Sequence, residues 1–208
     1  MRNLVLQMSV SIDGYVATLD GAHDWGYDGE DPATKAWKLE SVWGAGAHLM
    51  GRVTYGDMAA VWPTSTSDYA KPMNEIPKVV SSKTLETADW PESRIARGEL
   101  ADEVARLKAE PGGYLLAHGG AVFAQALSRE RLVDEYRLVV HPAALGDGLP
   151  AVPRPPGASR ARARRSAHLR DGRGHPRLPP PFLGLAVTGG RARLRAGARS
   201  SASCWRSR

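Results

Sequence analysis

The stretch Ala117-His118-Gly119-Gly120-Ala121-Val122 has residue types that can hold an anion. It follows the apolar run Tyr114-Leu115-Leu116, which reads as a buried strand, and precedes Ala121 to Leu127, which reads as a helix. Two glycines at such a junction let the backbone approach a ligand closely, and they leave the first helical N–H groups free to bind phosphate. The same pair would also serve as a plain tight turn, and the residues alone leave both readings open. Two other stretches offer phosphate-binding groups at strand ends: Met50-Gly51-Arg52-Val53-Thr54-Tyr55 and Val79-Val80-Ser81-Ser82-Lys83-Thr84. Taken singly, Arg52 could sit in a surface ion pair, and Ser82-Lys83 could be an ordinary turn. Three such loops in one small α/β chain point to a dinucleotide with several phosphates.

The elements that must position these loops alternate between strand and helix. Leu4, Val5, Leu6, Met8 and Val10 predict a central strand that continues through Gly14 to Ala17, with a bulge or a close ligand approach at the glycine. Asp31 and Pro32 form a helix start, an N-cap acceptor followed by proline, and that helix should run to Trp43 and stop at Gly44. His48 to Met50 is a short buried strand, Val53 to Val61 a helix, and Thr64 to Met73 a polar loop. Further strands are expected at Pro77 to Ser81, Ser93 to Ala96 and Tyr136 to His141. Leu100, Val104 and Leu107 recur at helical spacing. This alternation predicts a mostly parallel central sheet with helices on both faces, a three-layer α/β fold.

The ordered set of motifs resembles the dihydrofolate reductase-like superfamily, and within it the reductase domain of riboflavin biosynthesis and its stand-alone bacterial relatives. The matching residues are Ser11-Ile12-Asp13-Gly14-Tyr15-Val16-Ala17, Asp24-Trp25, Met50 to Tyr55, Ser81 to Leu85, Gly119-Gly120, Val133-Asp134-Glu135 and Gly146-Asp147-Gly148, spread over residues 2–150. The resemblance implies an NADPH-dependent reductase of a small heterocyclic substrate, similar to 5-amino-6-(5-phosphoribosylamino)uracil reductase, and a homodimer. Arg52 and Thr54 would meet the cofactor phosphates. Ser82 and Lys83, with Ser81 before them, would hold the ribose 2′-phosphate, and Gly119, Gly120, Ala121 and Val122 would cradle the pyrophosphate. Dihydrofolate reductases carry an acid on the first helix in a Pro-Ala-acid-x-Ala-Trp pattern. Here the pattern reads Pro32-Ala33-Thr34-Lys35-Ala36-Trp37, with Thr34 in the acid's place. Folate reduction is therefore not expected as the main activity. Asp13 and Asp24 are the alternative catalytic groups, although each also suits a turn, where Asp bonds its own backbone. No metal site is expected.

Composition divides the chain at residue 150. Residues 151–208 hold 14 Arg, no Lys and the single acid Asp171, a net +13, which leaves −7 on residues 1–150. Periodicity stops after Pro150, except over Phe182 to Val187, so we expect a reductase domain over 1–150 and a disordered Arg/Pro/Gly-rich tail over 151–208. The family's closing strands should lie in that tail. Back-translating His168 to Leu178 with GC-rich codons and moving one nucleotide yields a Thr- and Val-rich stretch like the family's last strand, which suggests a shifted reading frame near Pro150. The rival reading is a nucleic-acid-binding arm, since Arg-rich segments bind phosphate backbones, but the aromatics that stack on bases are nearly absent. A single cysteine, Cys204, excludes an internal disulfide framework. No apolar run approaches a membrane span, and a cytoplasmic protein is expected.

Overall fold

The computed structural model describes residues 1–26 and 32–152, together with the backbone of Arg162–His168 and Pro181–Ala186. Six parallel strands make the body of the sheet. They are β1 (Leu4–Ser11), β3 (Ala45–Gly51), β4 (Lys78–Ser81), β5 (Ser93–Ala96), β6 (Tyr114–His118) and β7 (Glu135–His141). Their spatial order is β5-β4-β3-β6-β1-β7. A short ribbon, β2 (Tyr15–Ala17) against β8 (Leu149–Pro150), lies outside this sheet.

The side-chain period of two sorts the core into two layers. Leu4, Leu6, Met8 and Val10 of β1 pack with Val104 and Leu107 of α4 (Leu100–Ala109) and with Ala124 and Leu127 of α5 (Ala121–Arg129). Val5 and Leu116 face the other way. They pack with Val42 of α1 (Pro32–Trp43), Tyr55 of α2 (Arg52–Val61) and Met73 of α3 (Ala70–Glu75). Helices on both faces of a mostly parallel sheet are the expected three-layer α/β, dihydrofolate reductase-like architecture.

Three sequence expectations need correction. The first strand does not run on to Ala17. It ends at Ser11, and the chain reverses at Gly14, whose φ of +93° is a turn conformation that favours glycine, before β2 begins. The polar loop over Thr64 to Met73 contains the start of α3. Six residues are too few to display a helical period, and this helix is held by tertiary contacts instead. Met73 is buried, and the Lys78 ammonium reaches the carbonyls of Met73 (3.0 Å), Asn74 (2.8 Å) and Ile76 (3.0 Å) at the end of α3. Cations are favoured at helix C-termini because the last carbonyls have no helical partner.

The third correction concerns the tail. Two strands expected to be absent are present: β9 (Arg162–His168) and β10 (Pro181–Ala186). β10 pairs antiparallel with β7, Phe182 opposite Val139, and β9 pairs antiparallel with β10. A strand at a sheet margin is held by backbone bonds, which need no apolar alternation. The sequence Arg-Ala-Arg-Arg-Ser-Ala-His of β9 therefore gave no periodic signal. Phe182 to Val187, the exception noted in the sequence, overlaps β10 from Phe182 to Ala186. The shifted-frame reading and the rest of the expected disorder fall outside the described residues. No helix among the described residues is long and apolar enough to cross a membrane.

Lys78 is fully buried, and its ammonium lies 4.7 Å from the centroid of the Trp90 ring. Burial pushes its pKa down to about 8. The unfolded lysine keeps its proton to about pH 10.4, so raising the pH above 8 releases a proton from the native state only. Native stability should therefore rise by about 1.4 kcal/mol per pH unit over that window from this group. Urea denaturation at pH 7, 9 and 10 checks this. Lys78→Met should lack the rise and should lose about 2–4 kcal/mol at pH 7, because three carbonyls lose their donor.

Candidate functional site

Strand order determines where a ligand can enter. β3 and β6 are neighbours, yet α2 leaves the end of β3 toward one face and α5 leaves the end of β6 toward the other. Such a divergence opens a crevice beyond the carboxyl ends of the strands. Gly51 precedes α2 and Gly120 precedes α5, and neither helix has a side-chain N-cap or an acid in its first turn. The first helical bond of α5 runs from Ala124 N–H to Gly120 O (3.0 Å), which leaves the N–H groups of Ala121, Val122 and Phe123 without an intrahelical acceptor. Two helix N-termini with unused donors thus meet at one crevice. Arg52, exposed and without an ion-pair or hydrogen-bond partner among the described residues, stands at its rim.

The junction is tightly fitted. The Thr54 hydroxyl donates to Gly119 O at 2.8 Å and ties α2 to the β6 loop. Gly120 has φ +96°, and a Cβ there would lie 2.5 Å from Thr54 Oγ1. A Cβ on Gly119 would lie 2.7 Å from Met8 Cε. β4 lies on the far side of β3, with Ser81 in register with Gly51, so the Ser81-Ser82-Lys83 turn lines the same edge. Ser82 Oγ accepts from the N–H of Leu85 (2.9 Å) and Thr84 (3.2 Å) and shapes that turn. Lys83 bonds Glu99 at 2.7 Å, with both side chains more than two-thirds exposed. The donor set fits a phosphorylated dinucleotide: backbone N–H groups, a guanidinium unpaired among the described residues, the exposed Lys83 ammonium on the neighbouring turn, and no carboxylate in either helical first turn. A shallow groove of about 560 Å³ lies beside α2, lined by Tyr55, Leu85 and Trp90, and includes Arg52 of this edge.

The other half of the crevice lies beneath α1, over β6, β1 and β7. Gln7 of β1 is in register with His118 of β6 and Arg137 of β7. Gln7 Oε1 is buried with no hydrogen-bond partner among the described residues, as is Trp25 Nε1. Trp25 meets the His141 ring edge-on at 5.8 Å, and His141 Nε2 lies 2.9 Å from Ser9 Oγ. Thr34 is buried on the inner side of α1. His118 and His48 approach at 2.9 Å, Nε2 to Nδ1, and His48 Nε2 lies 3.3 Å from Pro72 O. Burial pushes the His48 pKa down to about 4 and that of His118 well below the ordinary imidazole range, so both rings are neutral at pH 7.

The family model of the RibD C-terminal domain matches residues 2–174. The chain belongs to that family. This RibD-type domain is similar in fold to three solved structures. One is the "Putative riboflavin biosynthesis protein" of Shewanella sp. PV-4, with TM-score 0.68 and 22% identity over 88% of this chain and 98% of that one. Another is a diaminohydroxyphosphoribosylaminopyrimidine deaminase/5-amino-6-(5-phosphoribosylamino)uracil reductase from Thermotoga maritima, with TM-score 0.61 and 14% identity over 89% of this chain and 56% of that one. The third is the Enterococcus faecalis dihydrofolate reductase complexed with NADP(H) and RAB-propyl, with TM-score 0.58 and 13% identity over 88% and 94%.

Within the RibD-type domain, the residues singled out for cofactor contact all lie at the carboxyl ends of three neighbouring strands, β4, β3 and β6. Thr54 differs from the expectation in one respect: its only hydroxyl proton goes to Gly119 O, so it clamps the crevice rather than offering a phosphate donor. The catalytic candidates fare differently. Asp13 accepts from Ser11 Oγ (2.5 Å) and from the N–H groups of Gly146 (2.8 Å) and Leu145 (3.1 Å). The Ser11 bond holds its carboxyl below the usual carboxylate range. It is a turn-stabilising carboxylate, a poor proton donor at neutral pH. Asp24 is exposed in a short 3-10 turn beside Trp25. Sequence reasoning missed Gln7, His48 and His118 as site residues. The two histidines are 70 positions apart, and only the β3–β6 adjacency brings them together.

Gly120→Ala should cost about 1–3 kcal/mol, because a side chain is forced into positive φ and against Thr54. Adding Thr54→Ala should return part of that loss, since it removes the colliding hydroxyl. Thermal unfolding of the two single variants and the double variant measures the coupling. Strictly additive losses would contradict the contact.

Proposed function

We propose that the RibD-type domain is an NADPH-dependent reductase of a small heterocyclic substrate, of the kind reduced by 5-amino-6-(5-phosphoribosylamino)uracil reductase. One observation supports this reading: two uncapped helix N-termini and Arg52, which has no partner among the described residues, converge on one crevice where the strand order reverses. Helix N-termini favour negative charge, and bidentate guanidinium contacts suit phosphate oxygens. Gly119, Gly120, Ala121 and Val122 would hold the pyrophosphate. Arg52 would face a neighbouring phosphate, and Ser82 and Lys83 the 2′-phosphate.

Bound NADPH supplies the hydride. The chain's own part is to orient the two rings and exclude water between them, which is where most of the rate advantage of such a transfer arises. The proton comes from water, since Asp13 is committed to its turn and Thr34 has no ionisable group. That last feature favours a second reading, a protein that binds NADPH without efficient turnover. Steady-state loss of NADPH absorbance with the ribosylamino-pyrimidine substrate separates the two. Turnover supports the reductase, and tight NADPH binding without turnover supports the second reading.

The Lys83–Glu99 pair is exposed, so breaking it costs little. Lys83→Ala should weaken NADPH by about 1.5–3 kcal/mol, the worth of one charge-assisted bond, and leave NADH nearly unchanged. Glu99→Gln frees the ammonium and should tighten NADPH relative to NADH. Calorimetric titration of both cofactors measures each effect, and equal losses for NADPH and NADH in Lys83→Ala would remove Lys83 from the 2′-phosphate site.

A further inference from the structure

The hydrogen-bond chain that starts at Pro72 has only one consistent arrangement of protons. A carbonyl oxygen can only accept, so His48 Nε2, 3.3 Å from Pro72 O, carries the hydrogen. A neutral imidazole with its proton on Nε2 has a bare Nδ1, which must accept. Nε2 of His118, 2.9 Å away, therefore donates. His118 is neutral as well, so its remaining nitrogen, Nδ1, is left with a lone pair and no proton. Among the described residues nothing bonds that nitrogen.

His118 is the last residue of β6, immediately before the Gly119-Gly120 loop. Its Cα partner across the sheet is Gln7, about 5 Å away at the usual strand spacing. Both side chains project to the α1 side: their neighbours Leu6, Met8 and Ala117 pack on the α4–α5 side, whereas Val5 and Leu116, two residues earlier, pack beneath α1–α3. Gln7 Oε1 is also an acceptor, and it is buried with no hydrogen-bond partner among the described residues. A buried acceptor without a donor costs about 1–3 kcal/mol, and such atoms are rare in folded proteins unless water or a ligand completes them. Here two acceptors, one fixed as such by a relay and one orphaned, stand side by side next to the loop read above as the cofactor cradle.

We propose that Gln7 and His118 form the edge of the site that recognises the substrate, and that this edge accepts hydrogen bonds from an amino or ring N–H group. His48 is the positioning residue: through its bond to His118 it keeps the proton off Nδ1. The substrate class is accordingly a planar heterocycle presenting N–H donors, and one presenting only acceptors or methyl groups is rejected. This rests on the reductase reading for its biological meaning, but its test needs neither cofactor nor turnover.

The test uses the full chain with 2,4-diaminopyrimidine and its near-isostere 2,4-dimethylpyrimidine as probes. Long-range proton–nitrogen correlation spectra at pH 7 report the histidine tautomers directly. The expected result is a proton on Nε2 of both His48 and His118, with the Nδ1 signal of His118 moving when the diamino compound binds. The diamino compound should bind at least about tenfold more tightly than the dimethyl one, about 1.4 kcal/mol. Gln7→Leu should reduce that preference. His48→Phe should let His118 populate the other tautomer and reduce the preference also, and His48→Asn, whose amide oxygen can accept from His118 Nε2 in place of the His48 Nδ1 lone pair, should recover it. A proton on Nδ1 of His118 in the parent protein overturns the proposal. So does equal binding of the two probes, or no binding of the diamino compound. If the diamino preference holds while NADPH does not bind, the reductase reading fails and this edge stands.

Discussion

The architecture of the site depends on a single topological event. The chain lays down β3, β4 and β5 outward in one direction and then returns to place β6 in the gap between β3 and β1. From that point neighbouring strands send their helices to opposite faces. The backbone at Gly51 and at Gly119-Gly120 must therefore diverge within a few residues while the strands behind it stay hydrogen-bonded. Glycine at these places, φ +96° at Gly120, and the Thr54 hydroxyl bridging to Gly119 are the local devices that make this divergence possible. The unused helical N–H groups follow from it, because a helix that starts on a glycine at a strand end has no side chain to cap it.

A second constraint acts on the α1–α3 side. That layer holds several polar groups that a core ordinarily excludes: Lys78, His48, His118 and Gln7. Lys78 is stabilised by three carbonyls and the Trp90 ring, and the histidines by each other and Pro72. The Lys78 charge also disfavours a proton on His48, adding to burial. The same helix end thus receives a cation from β4 and a neutral imidazole from β3. The register of α3 against the sheet is fixed by polar contacts as much as by Met73.

Much of this was legible before the fold was known, and the limits have physical causes. α4 announced itself by apolar spacing, α5 by its place after the Gly119-Gly120 turn, and α1 by its proline start. The three phosphate loops were visible because Arg, Lys, Ser and paired Gly carry their chemistry in their identity. What escaped detection depends on distant partners. α3 is one and a half turns held by Lys78, and nothing in Thr64 to Met73 marks it. β10 is positioned by backbone pairing to β7, and β9 by pairing to β10. Asp13 suited a turn better than catalysis from its sequence setting, and its bonds to Leu145 and Gly146 place it in that turn. His48 and His118 looked like strand residues beside glycine loops, and no local pattern links two positions on strands that are neighbours only because β6 returns between β3 and β1.

The central claim is that the meeting point of α2 and α5 holds the phosphates of a dinucleotide. Amide chemical shifts of the uniformly labelled protein, followed as NADPH is added, test it at the atoms concerned. The account predicts the largest shifts at the backbone N–H groups of Ala121, Val122 and Phe123 and at Arg52, together with slowed hydrogen exchange at those amides. Binding that leaves these amides unmoved, with the changes instead along the groove between Tyr55, Leu85 and Trp90, would contradict it.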